Sequence, residues 1–168
     1  LERIRALGVN VVRIFVHPYE FGYPRNPSDE IQYEAVDRAL DMLDDALDLI
    51  ATHDLQAHVT LFDCWRSWGE LDKSKTWLKL VLDRFADDAR IAVWELQNEV
   101  SLDQPHVSAW VSATFPHLQE AVRRSLCTVS VTNTTWLSDV VALTDANPPD
   151  VYSLHWYPRD SLWTRRFP

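Results

Sequence analysis

Apolar and polar positions along this chain switch repeatedly between two periods. Val11–Val16 is a continuous β-branched and apolar run, the pattern of a strand buried on both faces. Leu55–Phe62, Ile91–Gln97, Thr128–Thr132 and Val151–His155 repeat it, which predicts five strands. Between the strands the apolar period lengthens to that of a helix. Val36, Ala39, Leu40, Leu43, Ala46, Leu47 and Ile50 form one stripe, with Asp37, Asp41, Asp44, Asp45 and Asp48 on the other face. Leu1–Leu7 reads as the end of a helix stopped by Gly8. Trp77–Ala86 carries a stripe of Trp77, Val81 and Phe85, and a further short helix is expected around Trp136–Leu143. His106–Arg124 is helical but interrupted at Pro116, where a kink or restart is expected. A loop rich in Pro, Asn and Ser runs from His17 to about Gln32.

Strand and helix alternating this regularly imply a parallel sheet with right-handed crossovers. A doubly wound open sheet and a (β/α)₈ barrel both fit. No glycine-rich turn follows any strand, and the chain has three glycines in all, which disfavours a nucleotide-binding open sheet. Polar and aromatic residues gather just after the strands instead: His17, Asp63 with Trp65, Asn98 with Glu99, Asn133, and His155 with Tyr157. Barrel enzymes build their sites at that face. The fold class expected is therefore α/β, a partial (β/α)₈ TIM barrel of parallel strands.

Composition narrows the functional classes. With 46% hydrophobic and 24% charged residues the 168-residue chain suits one globular domain. A formal charge of −9 speaks against nucleic acid, which demands a basic footprint. The apolar runs are too short to span a bilayer. Eight tryptophans is a high count, and aromatic faces serve both cores and sugar-stacking sites. Cys64 and Cys127 fall at strand ends two positions apart, too distant for a disulfide, so two free thiols are expected.

The stretch Trp94-Glu95-Leu96-Gln97-Asn98-Glu99 closes the third of these strands. Together with Arg13 on the first and His155-Trp156-Tyr157 after the last, it resembles the clan A glycoside hydrolases, family 5 (cellulases and mannanases) above all. In that family Asn-Glu closes strand four, the Arg lies on strand two and His-x-Tyr closes strand six. The resemblance therefore implies strands two to six of a retaining β-glycosidase barrel acting on β-linked, cellulose- or mannan-type saccharides. It implies a carbohydrate partner and no metal or organic cofactor, since two carboxylates suffice. Other clan A families share Asn-Glu, and a carbohydrate-binding barrel that has lost its nucleophile is a rival of another class.

Residue by residue, the resemblance makes Glu99 the acid/base, which must hold a proton near neutrality. Asn98 matches the Asn that hydrogen-bonds the sugar 2-hydroxyl. Arg13 matches the Arg that keeps the nucleophile ionised, with a structural salt bridge as the alternative. His155 would line the cleavage subsite and Tyr157 would hydrogen-bond the nucleophile. Glu95 shares strand parity with Glu99 and is read as structural, a partner for Arg13 within the barrel.

The departure from the family follows the second strand here, where a His is common and this chain reads Phe62-Asp63-Cys64-Trp65. Trp65 and Trp68 are candidates for a sugar-stacking platform, and His17 and Glu20 for subsite residues. The chain opens at Leu1 without an initiator Met and closes at Pro168 soon after the last strand. Strand one, strands seven and eight, and the nucleophile are accordingly expected outside it, leaving an incomplete catalytic domain that is inactive alone.

Overall fold

A computed structural model describes residues 1–25, 29–102, 104–131, 141 and 147–155. Its elements, in chain order, are α1 (Glu2–Ala6), β1 (Val11–Phe15), α2 (Tyr33–Ala51), β2 (Gln56–Phe62), α3 (Leu71–Phe85), β3 (Ile91–Gln97), α4 (Pro105–Ala121), β4 (Leu126–Thr128), β5 (Ser130–Val131) and β6 (Ser153–Leu154). Strands β1 to β4 form one parallel sheet in sequence order, and β5 pairs in parallel with β6. A parallel bridge between Val100 and Val131 links the two parts. The single strand expected at Thr128–Thr132 is thus two short ones. It starts earlier, at Leu126, and changes partner around Val129, from β3 on one side to β6 on the other.

The two faces of the sheet divide the chain's chemistry. Val59, Leu61, Trp94 and Leu96 alternate toward the helices and are buried. They meet Val36, Leu40, Leu43, Leu47 and Ile50 of α2, Trp77, Val81 and Phe85 of α3, and Trp110, Val111 and Phe115 of α4 in one apolar core. The opposite face carries most of the polar residues: Arg13, His58, Thr60, Glu95, Gln97, Thr128 and Ser130 alternate onto it beside Phe15, Phe62 and Val93, as side chains lining a barrel interior do.

Three helices differ in detail from expectation. α3 begins at Leu71, six residues before Trp77, and the Trp77 indole N–H donates to the Leu61 carbonyl at 2.9 Å, tying the helix to β2. α4 runs through Pro116 without a restart. Proline removes one backbone donor, while Val111, Thr114, Phe115 and Leu118 stay buried on both sides of it, and that burial holds the helix. The acidic face of α2 is not simply solvated. Asp41 pairs with Arg84 at 2.7 Å, and Asp44 and Asp48 join Asp88 around Arg90, clamping α2 to the turn before β3. The helix expected around Trp136–Leu143 lies, but for Val141, outside the described residues.

Candidate active site

The parallel ladder carries directly into the motif. Beyond β3 the Asn98 N–H donates to the Phe62 carbonyl (3.0 Å) and the Val100 N–H to the Ser130 carbonyl (3.0 Å). Asn98 is thereby anchored to β2 and Val100 to β5. The intervening Glu99 makes the crossing with φ +51°, in the left-handed region. That backbone costs a glutamate about 1 kcal/mol or more and persists because both neighbours are fixed. The Glu99 N–H is satisfied by the Ser130 hydroxyl at 2.9 Å. The Glu99 side chain thus leaves the sheet end in a set direction, 30% exposed.

His155 arrives from the next strand. Its backbone N–H donates to the Val131 carbonyl (3.1 Å), extending β6 by one residue. Its Nδ1 lies 2.8 Å from Glu99 Oε1. The proton of that bond sits on Nδ1 when Glu99 is ionised, or on the carboxyl when Glu99 is the acid.

One layer deeper, Glu95 is fully buried and Arg13 reaches it with both Nε (2.8 Å) and Nη2. The Thr60 hydroxyl donates to the same Oε2 at 2.6 Å, and His58 Nε2 stands 3.1 Å from it. Burial alone would raise this carboxyl. The polar groups gathered around it, His58, Ser130 and Thr60, and the charge of Arg13 outweigh it, holding the group at about 2. Arg13 also donates to Asn98 Oδ1 (2.9 Å), and Asn98 Nδ2 donates to Asp63 Oδ1 (3.0 Å). Arg13 is therefore both a structural partner of Glu95 and a support for Asn98.

The other expected residues separate. Trp68, Asp63, Asn98 and Glu99 line one cavity of about 480 Å³. His17 lines a second, of about 570 Å³, with Tyr19 and Arg25; Cys64 and Arg66 border both. Burial lowers the His17 pKa, with Asp63 and Glu20 pulling the other way. Glu20 is exposed and lies 3.6 Å from Arg25. Trp65 borders the first cavity but is only 1% exposed, wedged between Tyr19, stacked at 5.2 Å, and the edge of Phe62 at 5.1 Å, so most of its ring packs in the core. Trp68, half-buried against Trp110, is the more exposed of the two tryptophans that line the cavity. Tyr157 and Asn133 lie outside the described residues. Both thiols are free, Cys64 exposed and Cys127 buried. Among the described residues no cluster of His, Cys, Asp or Glu suited to a metal occurs, and no helix is long and apolar enough to cross a membrane.

Sequence reasoning missed Asp63 as a partner of Asn98, and Ser130 as the group under Glu99. The signal for Ser130 was its position on a strand face shared with Thr128, pointing inward.

Solved structures similar to this chain include glycoside hydrolases. A GH5_18 protein from Streptomyces cattleya in complex with Manb1-4GlcNAc matches with a TM-score of 0.68 at 16% identity, over 93% of this chain and 45% of its own. A GH5_18 protein from Bifidobacterium longum subsp. longum, also in complex with Manb1-4GlcNAc, matches with a TM-score of 0.66 at 21% identity, over 92% and 43%. A family 1 glycoside hydrolase from Thermotoga maritima, complexed with a cyclophellitol analogue, matches with a TM-score of 0.59 at 15% identity, over 86% and 40%. The chain shares their fold, parallel strands alternating with helices as in part of a (β/α)₈ barrel. The likeness extends to family 1 as well as to GH5_18 proteins, so it shows the fold and singles out no family. The chain spans less than half the length of each of these three structures. No family model matches the sequence, and no curated protein matches it.

Proposed function

We propose that this chain carries the acid/base half of a retaining β-glycosidase site of the family 5 type, acting on a β-linked oligo- or polysaccharide. The observation that carries the reading is the 2.8 Å bond between His155 and Glu99, made at the ends of strands that leave Glu99 beside Asn98. Glu99 protonates the glycosidic oxygen as the bond breaks, and in the second step takes a proton from the attacking water. His155 holds the carboxyl in place and exchanges the shared proton with it. Asn98 meets the sugar 2-hydroxyl, a contact that tightens in the oxocarbenium-like transition state. Arg13 fixes Asn98 from below, Trp68 offers a wall for a sugar ring, and His17 belongs to a neighbouring subsite.

Retention needs a second carboxylate about 5–5.5 Å from the first. Glu95 does not suit that role, being buried and committed to Arg13 and Thr60. The reading places the nucleophile, and the Tyr157 bond to it, with parts of the barrel beyond the described residues.

The test is Glu99→Gln in the full-length protein. Cleavage of substrates with poor leaving groups falls by about 10²-fold or more, whereas activated aryl glycosides, which need no protonation, keep their glycosylation rate. Azide then accelerates turnover of the activated substrates and gives a β-glycosyl azide. Equal loss on both substrate types removes Glu99 from the acid role.

A further inference from the structure

The Asn98 side chain is held at both ends by groups of opposite character. Arg13 Nη2 can only donate and lies 2.9 Å from Oδ1; the Asp63 carboxylate accepts and lies 3.0 Å from Nδ2. An amide orientation is ambiguous where its neighbours both donate and accept. Here a flip would set the NH₂ against a guanidinium and the oxygen against a carboxylate, two repulsive contacts in place of two charge-assisted bonds. The chain of contacts continues inward through Arg13 to Glu95 and Thr60, so its inner end cannot drift. Its outer end depends on one residue, Asp63, at the turn where β2 gives way to Cys64 in a left-handed conformation (φ +50°).

Resting on the glycosidase reading, we propose that Asp63 is a positioning residue that fixes the Asn98 amide so that its remaining N–H is presented to the sugar 2-hydroxyl. Asn98 has two N–H groups, and Asp63 takes one. The other remains, in the cavity shared by Asp63, Asn98 and Glu99. Without Asp63 the amide is held at one end only, and the donor loses its direction. The contact that tightens in the transition state is then weakened while Glu99 and His155 are untouched.

The readout is the ratio of kcat/KM for a 2-hydroxy aryl glycoside to that for its 2-deoxy analogue, measured in the full-length protein. Asp63→Ala lowers this ratio about tenfold. Asp63→Asn keeps an acceptor at the same place and recovers most of it. In an Asn98→Ala background Asp63→Ala leaves the ratio unchanged, because the group it positions is gone. A ratio unmoved by Asp63→Ala, an Asp63→Asn ratio no higher than that of Asp63→Ala, or an equal drop in the Asn98→Ala background overturns the proposal. A second measurement is independent of turnover: the Asn98 side-chain amide pair in ¹H–¹⁵N spectra shifts in Asp63→Ala and stays near its native position in Asp63→Asn. An amide pair unmoved by Asp63→Ala overturns the proposal even if the protein cleaves nothing, whereas loss of the Glu99→Gln phenotype overturns the glycosidase reading and leaves this contact standing.

Discussion

His155 Nδ1 and Glu99 Oε1 lie 2.8 Å apart although the residues are 56 positions apart in the chain. The contact exists because β5 stands between their strands: Val100 is bonded to Ser130, and His155 to Val131. If His155 exchanges a proton with Glu99, His155→Ala lowers kcat/KM for poor leaving groups by about tenfold. The loss is smaller for activated aryl glycosides, so the dependence of rate on leaving-group pKa steepens. A uniform loss across leaving groups would make His155 a substrate contact only.

Arg13 and Glu95 are the buried pair beneath the site. Arg13→Met strands a fully buried carboxylate and should destabilise the fold by about 3 kcal/mol, read as a lower urea midpoint at pH 7. Glu95→Gln keeps the shape and removes the charge, so its cost at pH 7 should be smaller than that of Arg13→Met.

The same carboxyl sets an acid limit. Its folded-state value of about 2 lies below its ordinary 4.5, so between those pH values the unfolded chain binds more protons than the folded one. Stability is therefore present in full above pH 4.5 and declines as pH falls toward 2, by about 3 kcal/mol in all from this one group. Urea titrations from pH 6 to pH 2.5 check it. Glu95→Gln should flatten that decline, and an unchanged slope would show that other carboxylates govern it.

Gly22 and Gly8 both have positive φ, +79° and +84°, but only one is also crowded. A Cβ at Gly22 would lie 2.7 Å from the Ala35 Cβ and 3.2 Å from the Gln32 carbonyl, whereas Gly8 has open space. Gly8→Ala should cost about 1 kcal/mol from backbone strain alone. Gly22→Ala should cost more, about 2–3 kcal/mol, since the loop behind Tyr23 must also move. Equal costs in thermal melts would mean that the loop yields.

The two thiols should react very differently. Cys64 is exposed, while Cys127 is buried and its thiol is pushed up to about 12 by burial and by Asp150. Ellman's reagent at pH 7.5 should titrate one thiol quickly in the native protein and both in urea. Two fast thiols without denaturant would show the β4 edge opening.

The sequence by itself determined the parallel α/β alternation, because strand and helix each impose a period on the apolar residues. The stripe on α2 holds position by position, with Ala39 and Ala46 at its margins. It also determined which face of β3 is polar: Glu95 and Gln97 share parity, and the Arg13–Glu95 pairing follows from that alternation. What only the tertiary structure decided depends on distances between strands. Trp65 went to the core because Tyr19, from the loop after β1, folds over its ring, and no local pattern reports such a contact. The split between β4 and β5 follows a change of partner, from β3 to β6, while the composition stays uniformly β-like. Asp63 became a partner of Asn98 through the β2–β3 register, which pairs Phe62 with Gln97 and so sets the next residue on each strand side by side. Periodicity fixes which way a side chain faces; register and strand pairing fix which side chain it meets.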